Sequence, residues 1–310
     1  MAGGYRESRA SNRPAAATRA PSTKNLGPAT LGCHRIPYPR DEGSRSLSLP
    51  LPDISRNLFD LSGYCTIVTG AGQGIGKALA TGFAHAGSDA VLVDLNGTVL
   101  EATAAEIGEI GHGVAAVVAD VTAPDTPERI VAAAKNLSGR IDVLVNNAGI
   151  MGYSDIIGVT DEEWDRMYGI NLKAPMRIMR AVLQEMVGAG RGSVINIGSS
   201  WSSRASVFNQ DGGGVDYCSA KAALQSLSRA AAQDVAPHGV RVNAIAPGAV
   251  DTPMHAHHRD YLFEYEKYIP LGRMEVAEDL VGPAIFLASD AGAYVTGQTI
   301  HVNGGLLMVD

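Results

Sequence analysis

Tyr217 and Lys221 are the two residues whose types and spacing could together move a proton. They bound the stretch "YCSAK" and lie four residues apart, so a helix would place both side chains on one face. A lysine ammonium stabilises a nearby phenolate and lowers the pKa of a tyrosine from its ordinary value of about 10, which makes the phenol a better base. The pair also occurs by chance in many chains, so further groups are needed to support this chemistry.

A hydroxyl and an amide could complete such a site. The stretch "SVINIGSSWSS" offers Ser199 or Ser200 at the end of an apolar run, where a hydroxyl could polarise a substrate oxygen. Asn171 in "GINLKAP" could order a water molecule that relays protons. Together with the phenol and the ammonium, these groups suit proton exchange with an alcohol or a ketone.

A glycine-rich loop predicts a second partner for this chemistry. The stretch "TGAGQGIG" lies between the apolar run "CTIVT" and the helical pattern "KALATGFAHAG". Glycines let the backbone approach a pyrophosphate, and a helix N-terminus offers free amides and the positive end of its dipole. The spacing is G-x-x-x-G-x-G, and the predicted cofactor-binding positions are Gly70, Gln73, Gly74, Ile75 and Gly76.

Asp94 suggests which dinucleotide this loop would hold. It ends the second apolar run, 24 residues after Gly70. A carboxylate there accepts hydrogen bonds from both ribose hydroxyls and repels a 2′-phosphate. No Arg follows Asp94, and the loop carries Gln73 rather than a cation. NAD is therefore expected in preference to NADP.

The elements that must position these residues form an alternating series from Leu58 onward. Short apolar runs alternate with longer Ala-rich stretches, and the stretch beginning at Tyr217 is rich in Ala and Leu, which favours a helix. Continuous Val, Ile and Ala predict strands buried on both faces, so the expected fold class is α/β with a doubly wound parallel sheet. The seven strand candidates are 65–69, 90–94, 114–120, 141–147, 193–198, 240–246 and 299–303.

Taken in order, these motifs resemble the classical short-chain dehydrogenase/reductase family from about Leu58 to the C-terminus. The resemblance rests on "TGAGQGIG", on "NNAG", on "PGAVDT" and on "YVTGQTIHVNGG", besides the tyrosine–lysine pair. It implies a single Rossmann-type domain over residues 57–310. It also implies an NAD(P)-dependent oxidoreductase that interconverts a secondary alcohol and a ketone.

The resemblance further implies a role for each matching residue. Tyr217 would be the general acid/base, and Lys221 would lower its pKa and hold the nicotinamide ribose. Ser199 would orient the substrate oxygen and Asn171 would hold the relay water. Ser199 is preferred to Ser200 because it is the fourth residue of an Asn-Ile-x-Ser unit. Beyond the glycine loop, Asp94, Tyr217 and Lys221, the cofactor would contact Asp120, Val121, Asn147, Gly149, Val250 and Thr252.

One departure from the family concerns the substrate pocket. Seventeen residues separate Ser199 from Tyr217, where family members usually have fewer. The surplus lies in "SRASVFNQDGGGVD", whose three consecutive glycines predict a flexible insertion beside the pocket. The resemblance also implies a substrate lid after "PGAVDT". The aromatic residues there could contact substrate or only pack; they are Tyr261, Phe263, Tyr265 and Tyr268. Trp201 could line the pocket or cover the insertion.

Composition bounds the remaining possibilities. Residues 1–58 carry nine Lys and Arg against four Asp and Glu, whereas the whole chain has a net charge of -7, so the rest is acidic and no nucleic-acid partner is expected. Residues 1–56 lack periodicity and predict a disordered extension. No apolar run suits a membrane span. The three scattered cysteines fit a reducing compartment, the cytoplasm. The histidines 255, 257 and 258 lack further ligands, so no metal is expected.

The overall pattern, including "LFDLSG" before the first strand, is most similar to family members that act on sugars, polyols or sugar acids. The main alternative within the family is a 3-oxoacyl-(acyl-carrier-protein) reductase, which usually prefers NADPH. A sterol or xenobiotic carbonyl substrate is also open. A minor alternative is a non-catalytic dinucleotide-binding protein. Such proteins typically lack part of the predicted catalytic tetrad, which here is Asn171, Ser199, Tyr217 and Lys221. Family members are commonly tetramers, so a homotetramer built on "VAEDLVGPAIFLAS" and the last strand is expected, or failing that a dimer.

Overall fold

The computed structural model of the chain describes residues 53–203, 214–254 and 266–309. Of the predicted N-terminal extension, only residues 53–56 fall within these ranges, and they are exposed. Three other predictions concern residues outside them: the histidines 255, 257 and 258, the aromatic lid residues 261, 263 and 265, and positions 204–213 of the insertion.

Seven parallel strands form one sheet in the described ranges, in the order β3-β2-β1-β4-β5-β6-β7. This confirms the doubly wound parallel sheet predicted from the apolar runs. Because the strand order reverses between β1 and β4, the carboxyl ends of these strands border a crevice. The strands are β1 (Cys65–Thr69), β2 (Asp89–Asp94), β3 (Val114–Val118), β4 (Val143–Asn146), β5 (Gly192–Ile197), β6 (Val240–Pro247) and β7 (Thr299–Val302).

Helices cover both faces of the sheet. A π-helical turn, Gly169–Lys173, joins α4 to α5, and short 3-10 turns include Ser200–Ser202 and Ala277–Leu280. Among the helices of the described ranges, none is long and apolar enough to cross a bilayer. The helices are α1 (Gly74–His85), α2 (Gly97–Gly108), α3 (Thr126–Ser138), α4 (Asp161–Tyr168), α5 (Ala174–Ala189), α6 (Val215–Val235) and α7 (Val281–Ala288).

The core consists of two layers because strand residues alternate between the faces of the sheet. Val68 of β1 packs in the layer that contains Phe83 of α1 and Leu287 of α7. Its neighbour Ile67 packs in the opposite layer, with Val182 of α5. All of these side chains are fully buried. The continuous apolar runs therefore reflect strands that are covered on both sides, as predicted.

Three predicted strands are longer than the observed ones, and the run 299–303 loses only its last residue. The run 114–120 forms a strand only as far as Val118, because its partner β2 ends at Asp94, whose carbonyl accepts the Ala119 amide at 2.9 Å. The run 141–147 forms a strand only over Val143–Asn146. Residues at the two ends of this predicted run form other hydrogen bonds. The Asp142 carboxylate accepts the Cys65 amide at 2.9 Å, and the Asn147 amide donates to the Thr69 hydroxyl at 3.0 Å.

Candidate active site

Helix α6 places the tyrosine and the lysine together. It begins after Gly214, whose positive φ of 59° turns the chain into the helix, and the i to i+4 spacing then stacks the two side chains. Tyr217 is 7% exposed and Lys221 is 5% exposed. The Lys221 Nζ lies 5.9 Å from the centroid of the Tyr217 ring. The structure thus brings a phenol and an amine side by side in a site largely closed to water.

The amine of Lys221 is held by the neighbouring strand. Its Nζ donates a hydrogen bond of 2.7 Å to the carbonyl of Ile197, the last residue of β5. Burial lowers the lysine pKa to about 8. The ammonium form therefore still predominates at pH 7, and the side chain has a fixed direction before any ligand binds.

Ser199 lies two residues after the end of β5, just before the 3-10 turn Ser200–Ser202. Its Oγ accepts the Trp201 amide at 3.1 Å and is hydrogen bonded to the Tyr217 side chain. Burial raises the pKa of Tyr217 to about 12, and the hydrogen bond with Ser199 acts in the opposite direction. The tyrosine is therefore a protonated acid at neutral pH in this state. The expectation that Lys221 lowers this pKa remains a prediction for the cofactor-bound form.

The neighbouring Ser200 is engaged elsewhere. Its Oγ donates to the Ala246 carbonyl at 3.4 Å and accepts from the Asn303 amide group at 3.3 Å. These contacts tie the turn to β6 and to the residue that follows β7. Of the two serines considered from the sequence, the structure therefore places Ser199 beside the tyrosine.

Asn171 lies in the π-helical turn between α4 and α5. The turn is closed by a hydrogen bond from the Ala174 amide to the Gly169 carbonyl, five residues back. The wider turn is a feature often found at functional sites. The Asn171 side chain is fully buried and binds Ile150 twice: its Oδ1 accepts the amide at 2.9 Å and its Nδ2 donates to the carbonyl at 2.8 Å. Asn171 thereby holds the loop after β4 against the helix.

The glycine loop after β1 has a conformation that other residues could not adopt. A Cβ at Gly76 would lie 2.0 Å from the carbonyl oxygen of Gly70, and Gly70 itself has a positive φ of 66°. Gln73 precedes α1 and makes no side-chain capping bond, so the first amides of this helix remain available as donors. A close-packed backbone with free amides at a helix N-terminus fits a pyrophosphate.

Asp94 lies beside this loop, as expected. Its Oδ2 accepts the Gly72 amide and its Oδ1 accepts the Asn96 amide, both at 2.9 Å. These bonds hold the carboxylate at the end of β2, and each oxygen keeps a further lone pair for a ribose hydroxyl. Asp120 follows β3 at the same edge, and its Oδ1 accepts two hydrogen bonds from Thr122.

Asn146, the last residue of β4, and Asn147, which follows it, brace the sheet under the loop. The Nδ2 of Asn147 donates to the carbonyls of Thr69 at 2.9 Å and Gly70 at 3.1 Å. Asn146 donates to Asn196 of β5 at 2.8 Å, and Asn196 donates to Ser228 of α6 at 2.8 Å. This buried chain links β4 through β5 to α6. Asn196 begins the Asn-Ile-x-Ser unit, but neither it nor Ser228 was predicted as a site residue.

One cavity of about 510 Å³ collects the predicted site residues. Gly76 and Asn171 stay outside its lining because both are buried behind it. The glycine loop, the Asp94 carboxylate and the Tyr217–Lys221 pair together fit a nicotinamide dinucleotide with a small substrate. The predicted residues that line the cavity are Gly70, Gln73, Gly74, Ile75, Asp94, Asp120, Val121, Asn147, Gly149, Ser199, Tyr217, Lys221, Val250 and Thr252.

Aromatic side chains form one wall of the cavity. Trp201 packs edge to face against Tyr217, with ring centroids 6.1 Å apart, and against Tyr153 at 6.5 Å. The sequence left open whether Trp201 lines the pocket or covers the insertion; in the structure it lines the cavity. Tyr153 and Arg166 also line it and were not predicted. Both lie in or after a loop whose path the sequence pattern does not specify.

The comparisons with known proteins match dehydrogenases and reductases. A family model described as Enoyl-(Acyl carrier protein) reductase matches residues 70–307. The sorbitol dehydrogenase of Cereibacter sphaeroides is 38% identical over 258 residues, which cover 79% of this chain and 98% of that protein. The 3-oxoacyl-(acyl-carrier-protein) reductase FabG of Escherichia coli (strain K12) is 34% identical over 252 residues, which cover 81% of this chain and 100% of that protein.

Solved structures show the same likeness. A short-chain type dehydrogenase/reductase from Mycobacterium marinum superposes with a TM-score of 0.77 at 34% identity, over 81% of this chain and 98% of that chain. A Beutenbergia cavernae protein assigned as an NAD(P) dependent gluconate 5-dehydrogenase, with bound NADP at low occupancy, superposes with a TM-score of 0.73 at 39% identity, over 81% and 99%. The family-model match contains every predicted site residue.

Proposed function

Because the chain belongs to the classical short-chain dehydrogenase/reductase family, we propose that it is an NAD-dependent enzyme that oxidises a secondary alcohol of a sugar, polyol or sugar acid, or reduces the matching ketone. At the coarser level it is an oxidoreductase of a family that acts on CH–OH groups. The observation that carries the proposal is the buried contact of Tyr217 with Ser199 beside Lys221, inside the cavity that contains the glycine loop.

In this proposal the proton is handled by the tyrosine hydroxyl. Tyr217 gives its proton to the substrate oxygen during reduction and takes one during oxidation. The Ser199 hydroxyl, already hydrogen bonded to the tyrosine, orients that oxygen between the two groups. When bound, the nicotinamide supplies or accepts the hydride. The aromatic wall and the burial of Tyr217 limit the access of bulk water to this exchange.

Two further residues, Lys221 and Asn171, support the proton exchange in the proposal. Lys221 contributes a positive charge that favours the phenolate, and it holds the nicotinamide ribose through its ammonium. Asn171 holds a relay water near the buried lysine. The two groups lie close together, since a Cβ at Gly149 would be 3.0 Å from Asn171 Oδ1 and 3.6 Å from Lys221 Nζ.

The proposed preference for NAD rests on Asp94. Its carboxylate lines the cavity beside the glycine loop, where it would repel a 2′-phosphate. The same repulsion disfavours the main alternative, a 3-oxoacyl-(acyl-carrier-protein) reductase that uses NADPH. That alternative is kept because FabG is 34% identical over its full length. The Beutenbergia cavernae structure contains NADP, so the cofactor needs a direct measurement.

The proposed substrate class rests on relatives that act on polyols and sugar acids. One is the sorbitol dehydrogenase, and another is the protein assigned as a gluconate 5-dehydrogenase. A non-catalytic dinucleotide-binding protein is the minor alternative. It is disfavoured because all four residue types of the predicted tetrad are present in this chain.

The proposal is tested by absorbance at about 340 nm, where NADH but not NAD absorbs. Purified full-length protein is incubated with NAD and a panel of polyols, sugar acids and simple secondary alcohols, with NADP in parallel wells. Turnover of a polyol or sugar acid with NAD is the expected result. Reduction of an acyl thioester with NADPH as the only activity would instead establish the FabG-like alternative.

A further inference from the structure

Glu275 is a buried carboxyl group for which the proposed reaction has no role. It precedes the 3-10 turn Ala277–Leu280 and is 6% exposed. Its Oε2 accepts the backbone amide of Gly248 at 2.7 Å, and its own carbonyl accepts the Asp251 amide at 2.9 Å. A parallel bridge pairs it with Val250. Glu275 thus contacts three residues of the segment that follows β6.

That segment is a wall of the cavity. The cavity lining includes Pro247, Gly248, Ala249 and Val250, and then Thr252. The Gly248 amide is shared between two acceptors, Glu275 Oε2 and the Val302 carbonyl at 2.9 Å. A side chain at Gly248 would not fit, because a Cβ there would lie 3.1 Å from Glu275 Oε2 and 2.9 Å from the Cβ of Asn303. The Glu275 carboxyl group is therefore packed directly behind the wall.

We propose that Glu275 is a positioning residue, whose buried carboxyl group holds the 247–252 wall in the conformation that binds the nicotinamide end of the cofactor. This inference rests on the proposed function, which assigns that end of the cofactor to Val250 and Thr252. Glu275 lines no part of the cavity itself and acts only through the backbone of Gly248, Val250 and Asp251.

The protonation state of Glu275 supports this role. Burial raises its pKa to about 8, so the carboxyl group is neutral at pH 7. One oxygen then accepts from Gly248, and the other, Oε1, is buried without a partner among the described residues. Ionisation would place an anion there, and a buried anion without a cation is unfavourable. Ionisation as the pH rises through about 8 is therefore expected to weaken this arrangement of the wall.

The surrounding charges do not offset such an anion. Arg273 acts to lower the pKa of Glu275, but its guanidinium is bound to Asp279 at 2.6 and 2.7 Å, and Asp279 acts to raise it. Asp251 lies across the bridge as a further acid. His301 is on the adjacent β7, and burial lowers its pKa, so it is neutral where Glu275 titrates. No nearby cation is thus free to pair with an ionised Glu275 in the described structure.

The experiment compares binding of NADH and of ADP-ribose, which lacks the nicotinamide, to Glu275→Ala, Glu275→Gln and wild type by titration calorimetry. Glu275→Ala removes the acceptor, so its Kd for NADH is expected to rise about fivefold to tenfold at pH 7, while its Kd for ADP-ribose stays within about twofold. Glu275→Gln keeps an acceptor oxygen and is expected to bind both ligands like the wild type at pH 7. Glu278→Gln, an exposed neighbour, is the matched control.

The pH series separates positioning from simple packing. Between pH 7 and 9 the wild-type Kd for NADH is expected to rise, whereas that of Glu275→Gln stays flat because glutamine cannot ionise. Parallel profiles for the wild type and Glu275→Gln, or equal losses of NADH and ADP-ribose binding in Glu275→Ala, would overturn the inference. ADP-ribose binding also reports correct folding of each variant. If the wild type binds neither ligand, the proposed function itself fails, which is a distinct outcome.

Discussion

At the residue scale, the central group is a tyrosine that the fold makes harder to ionise. Burial raises the pKa of Tyr217 to about 12, and the described contacts offer one opposing influence, the hydrogen bond with Ser199. A protonated phenol suits the reductive direction, in which a proton is delivered to the carbonyl oxygen. Alcohol oxidation requires the phenolate, so this direction depends on charges that reach the tyrosine when the cofactor is bound.

Replacing Tyr217 with Phe is expected to abolish proton exchange and to preserve cofactor binding. The substitution removes the hydroxyl and keeps the ring that packs against Trp201. Turnover should fall by about a hundredfold to ten-thousandfold, the usual contribution of a general acid/base. Steady-state kinetics and NADH titration check the two parts. Retained turnover would exclude Tyr217 as the proton donor, and Tyr168→Phe serves as a control because Tyr168 instead stacks on Trp164.

Asp94 is expected to set the preference between the two dinucleotides. Asp94→Asn removes the charge and keeps one of the two oxygens that accept backbone amides, so repulsion of a 2′-phosphate should decrease. The ratio of kcat/KM with NAD to that with NADP is expected to fall at least about tenfold. Asp120→Asn, at the same edge of the cavity, is the matched control and should leave the ratio within about twofold. An unchanged ratio in Asp94→Asn would refute the assignment of NAD specificity to this residue.

At the element scale, the site depends on the turn between β1 and α1. Helix α1 can begin close to the sheet because the backbone at Gly76 lies directly against the carbonyl of Gly70. Asn147 fixes the loop from the adjacent strand end through its bonds to the carbonyls of Thr69 and Gly70. The amides at the start of α1 are thereby aimed at the crevice where the strand order reverses.

Gly76→Ala is expected to disrupt this turn. The new Cβ would lie 2.0 Å from the Gly70 carbonyl, so the backbone must move, at a cost of about 1–3 kcal/mol in the free energy of unfolding. Dinucleotide affinity should fall with it, as measured by NADH titration. Gly188→Ala is the matched control, since nothing lies within 4 Å of its Cβ and alanine favours the α5 helix by about 0.5–1 kcal/mol. Equal stability and affinity in both variants would contradict the close approach.

At the scale of the whole molecule, partly exposed apolar side chains occur on the edge strand β7 and on α7. Strand β7 stands at the edge of the sheet and its four residues are only partly buried. Tyr294, just before it, is 101% exposed, and Ile285 and Phe286 of α7 are only partly buried. Among the described residues β7 has no strand on its outer side, and such an edge beside apolar side chains favours association between copies.

We therefore expect a homotetramer that uses the α7 and β7 side. Light scattering coupled to size-exclusion chromatography should give a mass about four times the 32.3 kDa of one chain, since closed symmetric assemblies predominate among soluble oligomers. Tyr294→Glu should lower the mass, whereas Ile157→Glu, 94% exposed on the loop before α4, should not. A monomer at high protein concentration would refute the expectation, and a dimer would limit association to one face.

The sequence alone predicted the class of fold and most of the residues that line the candidate site. The apolar runs predicted a doubly wound parallel sheet because strands covered on both sides are continuously apolar. The loop "TGAGQGIG" and the Tyr217–Lys221 spacing could be assigned because both depend on residues close together in the chain. Strand ends were less certain, since the end of β3 depends on where its partner β2 ends.

Only the tertiary structure decided the contacts between distant segments. It placed Ser199 rather than Ser200 beside Tyr217, connected Asn146 to Ser228 through a third residue, and put Glu275 behind Gly248. It also set the direction of the pKa changes at Tyr217, which depend on burial. Local spacing cannot supply these facts, because burial and long-range hydrogen bonds are created only when segments far apart in the sequence pack together.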